Sequence, residues 1–403
     1  MEKVVKKIKM PLSENVLTAM KILKKHGFEA YVVGGCVRDF LMGKEPHDFD
    51  MTTNALPEEI MAAFDGYTLI TAGIKHGTVA VMINKEKIEI TTYRIDGEYT
   101  DNRHPEKVTF SACLRDDTLR RDFTMNALAY SEEEGIVDYN GGIADVNNKL
   151  VRAVGEPIKR FEEDALRIMR AIRFSCVLGF EIEENTAREA QECSKLLKNI
   201  SAERICEEMD KFLSGIRAGD CLNKFQSVFC EIVPDLFPLS ESKINALNAQ
   251  YVNSVVSYAI LFRGIEIETV AKICRFLKFS NERKNKVLAI LSCDAIPETN
   301  VEAKSLLQSL GPETIKDFIA YNSAYGFDME KIEKYVEQIL ENGECYSLKQ
   351  LAINGRDLLS LGISDGARIG NILSCVLLKV VCEELENDKE ILINYVRNSL
   401  ILE

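Results

Sequence analysis

Residues 31–53, YVVGGCVRDFLMGKEPHDFDMTT, carry the reading on which the fold rests. Tyr31–Val33 is an apolar run that predicts a buried strand, Gly34-Gly35 predicts a turn, and a short helix bearing Arg38 and Asp39 should follow. A loop through Pro46 then leads to a second expected strand carrying Asp48 and Asp50. Side chains two apart on a strand share a face, so both carboxylates are expected to project together. Like charges so close are costly unless a cation lies between them. Mg²⁺, which binds carboxylates together with substrate phosphates, is such a cation. A glycine turn that opens a helix presents N–H groups to an anion. Alone, the glycines read as an ordinary turn and Asp-x-Asp as a solvated strand end. In this order they set a phosphate cradle against a metal site, which predicts two-metal nucleotidyl transfer.

At 403 residues the chain is long enough for two to four domains with real cores. No apolar run has the length of a membrane span, and MEKVVKKIKMPLSENV lacks a signal-peptide core, so a cytoplasmic protein is expected. Twelve cysteines without a Cys-x-x-Cys read as reduced thiols. The four histidines (His26, His47, His76 and His104) all lie early, which excludes a histidine-dependent phosphohydrolase domain in the C-terminal part. The net charge of −13 argues against indiscriminate nucleic-acid binding but permits a confined basic surface that grips RNA by shape.

In chain order, Ser13–His26 has helical spacing, with Ser13 as N-cap and Gly27 as stop. Pro57 begins another helix. Thr78–Ile83 and Lys87–Tyr93 form a hairpin around Asn84-Lys85. Glu89, facing away from Ile88 and Ile90, is either a solvated strand residue or, beside the strand bearing Asp48, a third carboxylate at the metals. Tyr99–His104 (YTDNRH) should be a mobile surface loop. Asp117–Tyr130 reads as an amphipathic helix with Leu119, Phe123, Met125, Leu128 and Ala129 inward. Arg120, Arg121, Asp122 and Asn126 would form its polar side, where Asn126 could buttress Asp122 or touch a substrate. Beyond Pro157 the strand signal gives way to helices: Phe161–Leu178 ended by Gly179, Ser201–Leu213, Cys221–Phe229, and amphipathic patterns from Ser240 onward. Breaks are expected at Pro238, Pro297, Pro312 and around Gly362, Gly366 and Gly370.

The segment Glu163–Phe174 is the second informative stretch. Asp164, Arg167, Arg170 and Arg173 recur every third residue, so neighbours should share a helix face. A solvated salt-bridged face is the ordinary meaning of such a pattern. Three arginines against one acid, however, leave positive charge that suits a triphosphate. Cytosine and adenine each present an exocyclic amine beside a ring-nitrogen acceptor, and a carboxylate with a guanidinium complements both. Guanine and uracil present the reverse order and would leave two polar groups unmet, a discrimination on the order of 10⁴. Asp164 and Arg167 could therefore accept C and A and refuse G and U.

GGCVRD with DFD, EITTYR, RRDFTMNALAY, EEDALRIMRAIRF and SAERI, together with the C-terminal NGRDLLSLGISDGARIG, resemble the class II tRNA nucleotidyltransferases. These are the CCA-adding enzymes of the polymerase-β-like superfamily. The resemblance implies an α+β protein: a mixed-sheet catalytic head (1–155), a helical neck with the base-recognition helix (156–240), and a helical body and tail that bind tRNA (241–403). It implies stepwise addition of C, C and A to tRNA 3′ ends from CTP and ATP. It assigns Mg²⁺ to Asp48 and Asp50, with Glu89 as the unsettled third acid. Gly34, Gly35 and Arg38 would hold the triphosphate, Arg121, Asp122 and Asn126 would serve the nucleotide, and Asp164 and Arg167 would act as template, supported by Arg170 and Arg173. SAERI would prop that helix, and the YTDNRH loop would serve the final A. Monomer and homodimer are both compatible with the sequence. Bacterial poly(A) polymerases share the head motifs, but they carry a basic signature where this chain reads GIKHGTVAVMI and a basic tail where it ends VRNSLILE. A non-catalytic RNA-binding protein would not need Asp48, Asp50 and Asp164. Nucleotidyl transfer to a small molecule would leave the long helical half without a purpose.

Overall fold

A computed structural model describes residues 2–46, 48–97, 108–249, 253–293 and 295–400. The chain divides into two compact units, Met1–Phe237 and Pro238–Glu403.

The first unit is built on an eight-stranded mixed sheet. Its strands are β1 (Val4–Lys6), β2 (Tyr31–Val33), β3 (Asp50–Thr53), β4 (Thr68–Ile70), β5 (Thr78–Ile83) and β6 (Glu86–Thr92), joined later by β9 (Leu128–Ser131) and β10 (Gly135–Asp138). Between them β7 (Arg94–Asp96) and β8 (Val108–Phe110) form a separate antiparallel pair. The sheet runs β1-β10-β9-β2-β3-β6-β5-β4, and β3 and β6 are its parallel pair. All three residues of β2 are buried, because β3 and β9 flank it on both sides. The hairpin β5–β6 turns through Asn84 and Lys85 at φ 48° and 70°, the left-handed pair that a two-residue turn requires.

The helices of this unit are α1 (Glu14–Lys25), α2 (Gly35–Leu41), α3 (Pro57–Ala63), α4 (Leu114–Leu119), α5 (Gly142–Asn147), α6 (Pro157–Glu163), α7 (Leu166–Leu178), α8 (Glu184–Glu192), α9 (Ala202–Leu213), α10 (Ala218–Lys224) and α11 (Gln226–Cys230). The Ser13 side chain caps α1 by accepting from Val16 N at 3.2 Å, as its position predicted. Gly179 closes α7 in the left-handed conformation, at φ 69°.

Several expectations from the sequence are corrected. Asp48 lies just before β3 rather than on it, so the paired carboxylates come from a loop residue and the first strand residue. Asp117–Tyr130 is not one helix: α4 ends at Leu119, a 3-10 turn spans Thr124–Asn126, and Leu128–Ser131 is strand β9. The reason is that β9 sits between β10 and β2 and is buried on both faces. A continuous apolar run of that kind cannot be told from a buried helix by periodicity. Leu119, expected inside, is exposed. The expected helix Phe161–Leu178 is broken at Asp164, whose backbone is extended at φ −140°, ψ 102°. There the side chain accepts from Leu166 N at 3.1 Å and the carbonyl accepts from Arg167 N at 2.9 Å. Asp competes with helix in this way. Asp164 thus precedes α7 instead of sharing its face with the arginines. Cys221–Phe229 is likewise divided, at Phe225.

The second unit is helical: α12 (Glu241–Asn248), α13 (Ser254–Phe262), α14 (Ile267–Phe276), α15 (Asn281–Leu291), α16 (Asn300–Ala324), α17 (Glu330–Glu341), α18 (Gly355–Ser360), α19 (Gly366–Val381) and α20 (Lys389–Tyr395). Pro312 coincides with a kink in α16, where Gly311 takes φ 73°. Gly366 and Gly370 do not break the chain but lie in α19, because Asp365 caps that helix by accepting from Ala367 N at 2.9 Å. The stop is Gly362, at φ 88°. Leu358, Val376, Leu377, Val381 and Leu392 pack the core there. The YTDNRH segment lies outside the described residues. All twelve cysteines are thiols, and among the described residues no helix is long and apolar enough to cross a membrane.

Helix α5 braces the 3-10 turn at Thr124–Asn126. Buried Asp138 caps it, accepting from the N–H groups of Asn140, Gly141, Gly142 and Ile143 at 2.9–3.1 Å. A Cβ at Gly142 would lie 2.1 Å from the Thr124 carbonyl oxygen. Gly142→Ala should therefore cost roughly 1–3 kcal/mol, read as a lowered urea midpoint. An unchanged midpoint would contradict this close approach.

Candidate active site

The parts assembled by the sheet meet in one cavity of about 660 Å³. It is lined by Gly34, Gly35, Arg38, Asp48, Asp50, Arg120, Arg121, Asp122, Asn126, Asp164, Arg167, Arg170, Arg173, Phe174 and Lys211. Six arginines and a lysine thus face four aspartates, so a chain of net charge −13 concentrates positive charge at one place. Such a cavity attracts polyanions.

The glycine turn is one wall. Gly34 takes φ 84°, closed to most side chains, and its N–H donates to Leu128 O at 3.1 Å, which ties the turn to β9. A Cβ on Gly34 would stand 3.3 Å from an Arg121 guanidinium nitrogen, and one on Gly35 would stand 3.4 Å from Arg38. The bare backbone lets both guanidinium groups lie against the turn. The first turn of α2 also leaves N–H groups without helical partners. Burial pushes the Cys36 thiol up to about 12, which makes it an inert filler of the turn.

Each guanidinium is held by a carboxylate. Arg38 donates to Asp39 at 2.8 and 2.9 Å and to Asn126 Oδ1 at 2.7 Å. Fully buried Asp117 accepts from Arg120 at 2.6 and 2.9 Å and from Arg121 at 3.2 Å. Burial pushes the Asp117 carboxyl up, but Arg121 and Arg120 together hold it below the ordinary range. Asp122 accepts from Asn126 at 3.1 Å and from Arg170 at 2.5 and 2.9 Å. Glu208 of α9 accepts from Arg173 at 2.5 Å and lies 3.8 Å from Arg170. Arg173 also stacks 3.9 Å from the centre of the Phe174 ring. The Nε of Arg121 is buried without a hydrogen-bond partner, a donor left over for a ligand oxygen.

Asp48 and Asp50 form the acidic end of the cavity. Burial pushes the Asp50 carboxyl above its usual value, Glu89 and Asp48 push it further, and Arg121 opposes them. The β3–β6 register pairs Met51 with Ile90, so one step back Asp50 stands beside Glu89. Glu89 itself is paired with Lys87 at 2.7 Å and is not part of the cavity lining. Among the described residues no group of three His, Cys, Asp or Glu gathers around one point. Asp164 accepts from Arg204 at 2.9 and 3.3 Å. Arg167 donates to Glu163 at 2.6 Å and to the carbonyls of Arg160 and Arg120 at 3.1 Å.

Twelve of the thirteen residues singled out from the sequence therefore share this cavity, and Glu89 stands outside it. Sequence reading missed Lys211, Phe174 and the bracing acids Asp117 and Glu208; it gave Arg120 only as part of a polar face, and Arg204 only within the SAERI stretch expected to prop the neighbouring helix. The spacing of Arg204, Glu208 and Lys211 on α9 was the available signal, since residues four and seven apart share a helix face.

The family model described as Poly A polymerase head domain matches residues 30–152, and one for tRNA nucleotidyltransferase domain 2 matches 252–396. The CCA-adding enzyme of Lactococcus lactis subsp. cremoris is 37% identical, over 97% of this chain and 98% of that one. The chain belongs to the CCA-adding enzyme family. Among solved structures, the Bacillus stearothermophilus CCA-adding enzyme in complex with CTP is 31% identical, with a TM-score of 0.82 over 95% of this chain and 96% of that one. The Thermotoga maritima CCA-adding enzyme complexed with tRNA has a TM-score of 0.67 at 23% identity, over 95% of this chain and 94% of that one, and shares the fold. Family membership makes this chain a nucleotidyltransferase with an α+β architecture, which agrees with the reading of its motifs.

Burial pushes the Asp122 carboxyl up, but Arg170 and the hydrogen bonds of Arg170 and Asn126 outweigh it and bring the pKa down to about 2. A depressed folded-state pKa stabilises the fold above pH ~4, and this contribution is lost as pH falls toward 2. Asp122→Asn should cost roughly 2 kcal/mol at pH 7. In urea titrations the gap to wild type should narrow between about pH 4 and pH 2; a pH-independent gap would contradict the linkage.

Proposed function

We propose that this enzyme adds C, C and A in turn to the 3′ end of tRNA, using CTP and ATP and releasing pyrophosphate. The observation that carries this reading is the joining of a base-edge pair, Asp164 and Arg167, to the Asp48–Asp50 pair within one cationic cavity. With tRNA, CTP and ATP as substrates, the enzyme would act in the cytoplasm.

The acidic end suits a hard divalent cation. Burial, Glu89 and Asp48 already disfavour ionisation of Asp50, which gains from a dication, and substrate phosphates and water complete the shell of Mg²⁺. Asp48 and Asp50 would hold Mg²⁺, which when bound lowers the pKa of the attacking 3′-hydroxyl and offsets charge on the leaving pyrophosphate.

The remaining work falls to the chain's own residues. The glycine turn and Arg38 receive the triphosphate, and Arg121 offers its spare Nε–H to a phosphate or sugar oxygen. Arg170 and Arg173, locked by Asp122 and Glu208, add fixed positive charge without reorganising as charge moves to the leaving group. Arg204 orients the Asp164 carboxylate toward an exocyclic amine. Glu163 and two carbonyls orient Arg167, leaving its other N–H groups for a ring nitrogen. Because both members of the pair are held, a wrong base cannot be met by rotating them.

Asp48→Ala should abolish incorporation of CTP into tRNA lacking its 3′ end while leaving tRNA binding within a few-fold of wild type. Turnover at the wild-type rate in that variant would refute the site. Asp164→Ala should keep nucleotidyl transfer but admit UTP or GTP. Separate incubations with each labelled nucleotide decide the matter, and C and A choice that survives unchanged would refute the base-pairing role. Arg204→Ala should relax the same choice less, since Asp164 remains but loses its brace.

A further inference from the structure

Two cations of the second unit face no carboxylate. Lys243, on α12, is 8% exposed, and among the described residues its ammonium has no hydrogen-bond or ion-pair partner. Burial and the nearby Arg263 guanidinium hold its pKa below the ordinary lysine range. Arg263 ends α13, and its NH1 nitrogen is buried without a hydrogen-bond partner. The guanidinium stacks 3.9 Å from the Tyr325 ring centre, with Tyr321 at 5.5 Å and Phe327 at 5.8 Å. Tyr325 is itself locked, donating to Ile260 O at 3.2 Å. Phe327 remains 44% exposed.

Buried charge normally finds its opposite. The same unit shows this: buried Lys304 lies 2.8 Å from both Glu344 and Glu383. Leaving Lys243 and Arg263 uncompensated in a chain with 63 acids and 50 bases is costly, and it leaves a place for an anion from outside. A guanidinium stacked on a ring keeps its edge free to donate to phosphate oxygens. An exposed aromatic face beside it can stack on a base or ribose.

We infer that Lys243 and Arg263, backed by Tyr321 and Tyr325, bind a backbone phosphate of an RNA strand, with Phe327 against the adjoining nucleotide. The inference rests on the tRNA substrate proposed above and names where the helical unit grips it. The catalytic cavity already supplies the larger charge that a triphosphate needs, whereas two cations match a phosphodiester.

The test uses the full chain and tRNA lacking its CCA end, with binding followed by fluorescence anisotropy between about 50 and 200 mM KCl. Lys243→Met and Arg263→Gln should each weaken binding about tenfold and reduce the slope of log affinity against log salt by about one. Phe327→Ala should weaken binding without changing the slope. The KM for tRNA should rise in all three while the KM for CTP stays at the wild-type value. Lys243→Met should also melt at a higher temperature, because it removes an uncompensated buried charge. A variant that melts higher yet keeps the wild-type salt slope overturns the site. A second CTP bound per chain, seen by calorimetry and lost in Lys243→Met, overturns the RNA assignment in favour of a free nucleotide. A wild type that binds tRNA but incorporates no CTP overturns the function proposed above, while the slopes still decide this site.

Discussion

The structure depends on buried carboxylates that hold arginines in place. Asp117 and Glu208 are buried, the Asp122 side chain is 10% exposed, and each is matched by guanidinium groups that reach into the cavity. Without these anions, several cations would repel one another across a few ångströms. Without the cations, the carboxylates would be unpaired in a poor dielectric. The mutual requirement produces a rigid positive surface inside an acidic protein. It costs no reorganisation when a polyphosphate arrives, which is the property that electrostatic catalysis needs.

The brace links elements that are remote along the chain. Asp122 follows α4, Arg170 lies on α7 and Glu208 on α9, so the three parts of the chain are tied by shared ion pairs. Asp164 occupies the break before α7, where its backbone is extended and its side chain is clamped by Arg204. A helical Asp at that place would have pointed with the arginines. The break separates it from them while keeping it in the same cavity.

The acidic end follows the opposite logic. Asp48 and Asp50 are set close without enough positive charge to balance them, and Glu89 on the parallel neighbour strand adds to the imbalance. The helical unit repeats the theme with reversed sign at Lys243 and Arg263. At both places the fold holds like charges together, a stability cost that becomes reasonable when a ligand of opposite charge completes the arrangement.

The sequence by itself determined the pieces whose physics is local. Gly34 turns the chain at a positive φ, Ser13 caps a helix, Gly179 ends one, and Asn84-Lys85 turns a hairpin. These depend on a few neighbouring residues, so they survive reading in one dimension. Only the tertiary structure decided the rest. Leu128–Ser131 is a strand because β2 and β10 pair with both its edges, and Asp164, which its own contacts to Leu166 N and Arg167 N take out of the helix, is clamped there by Arg204 of α9. Asp117 and Glu208 matter because of arginines they meet only after folding. An isolated apolar run or an isolated acid carries no record of its partner, and ion pairs between distant elements exist only once packing brings them together.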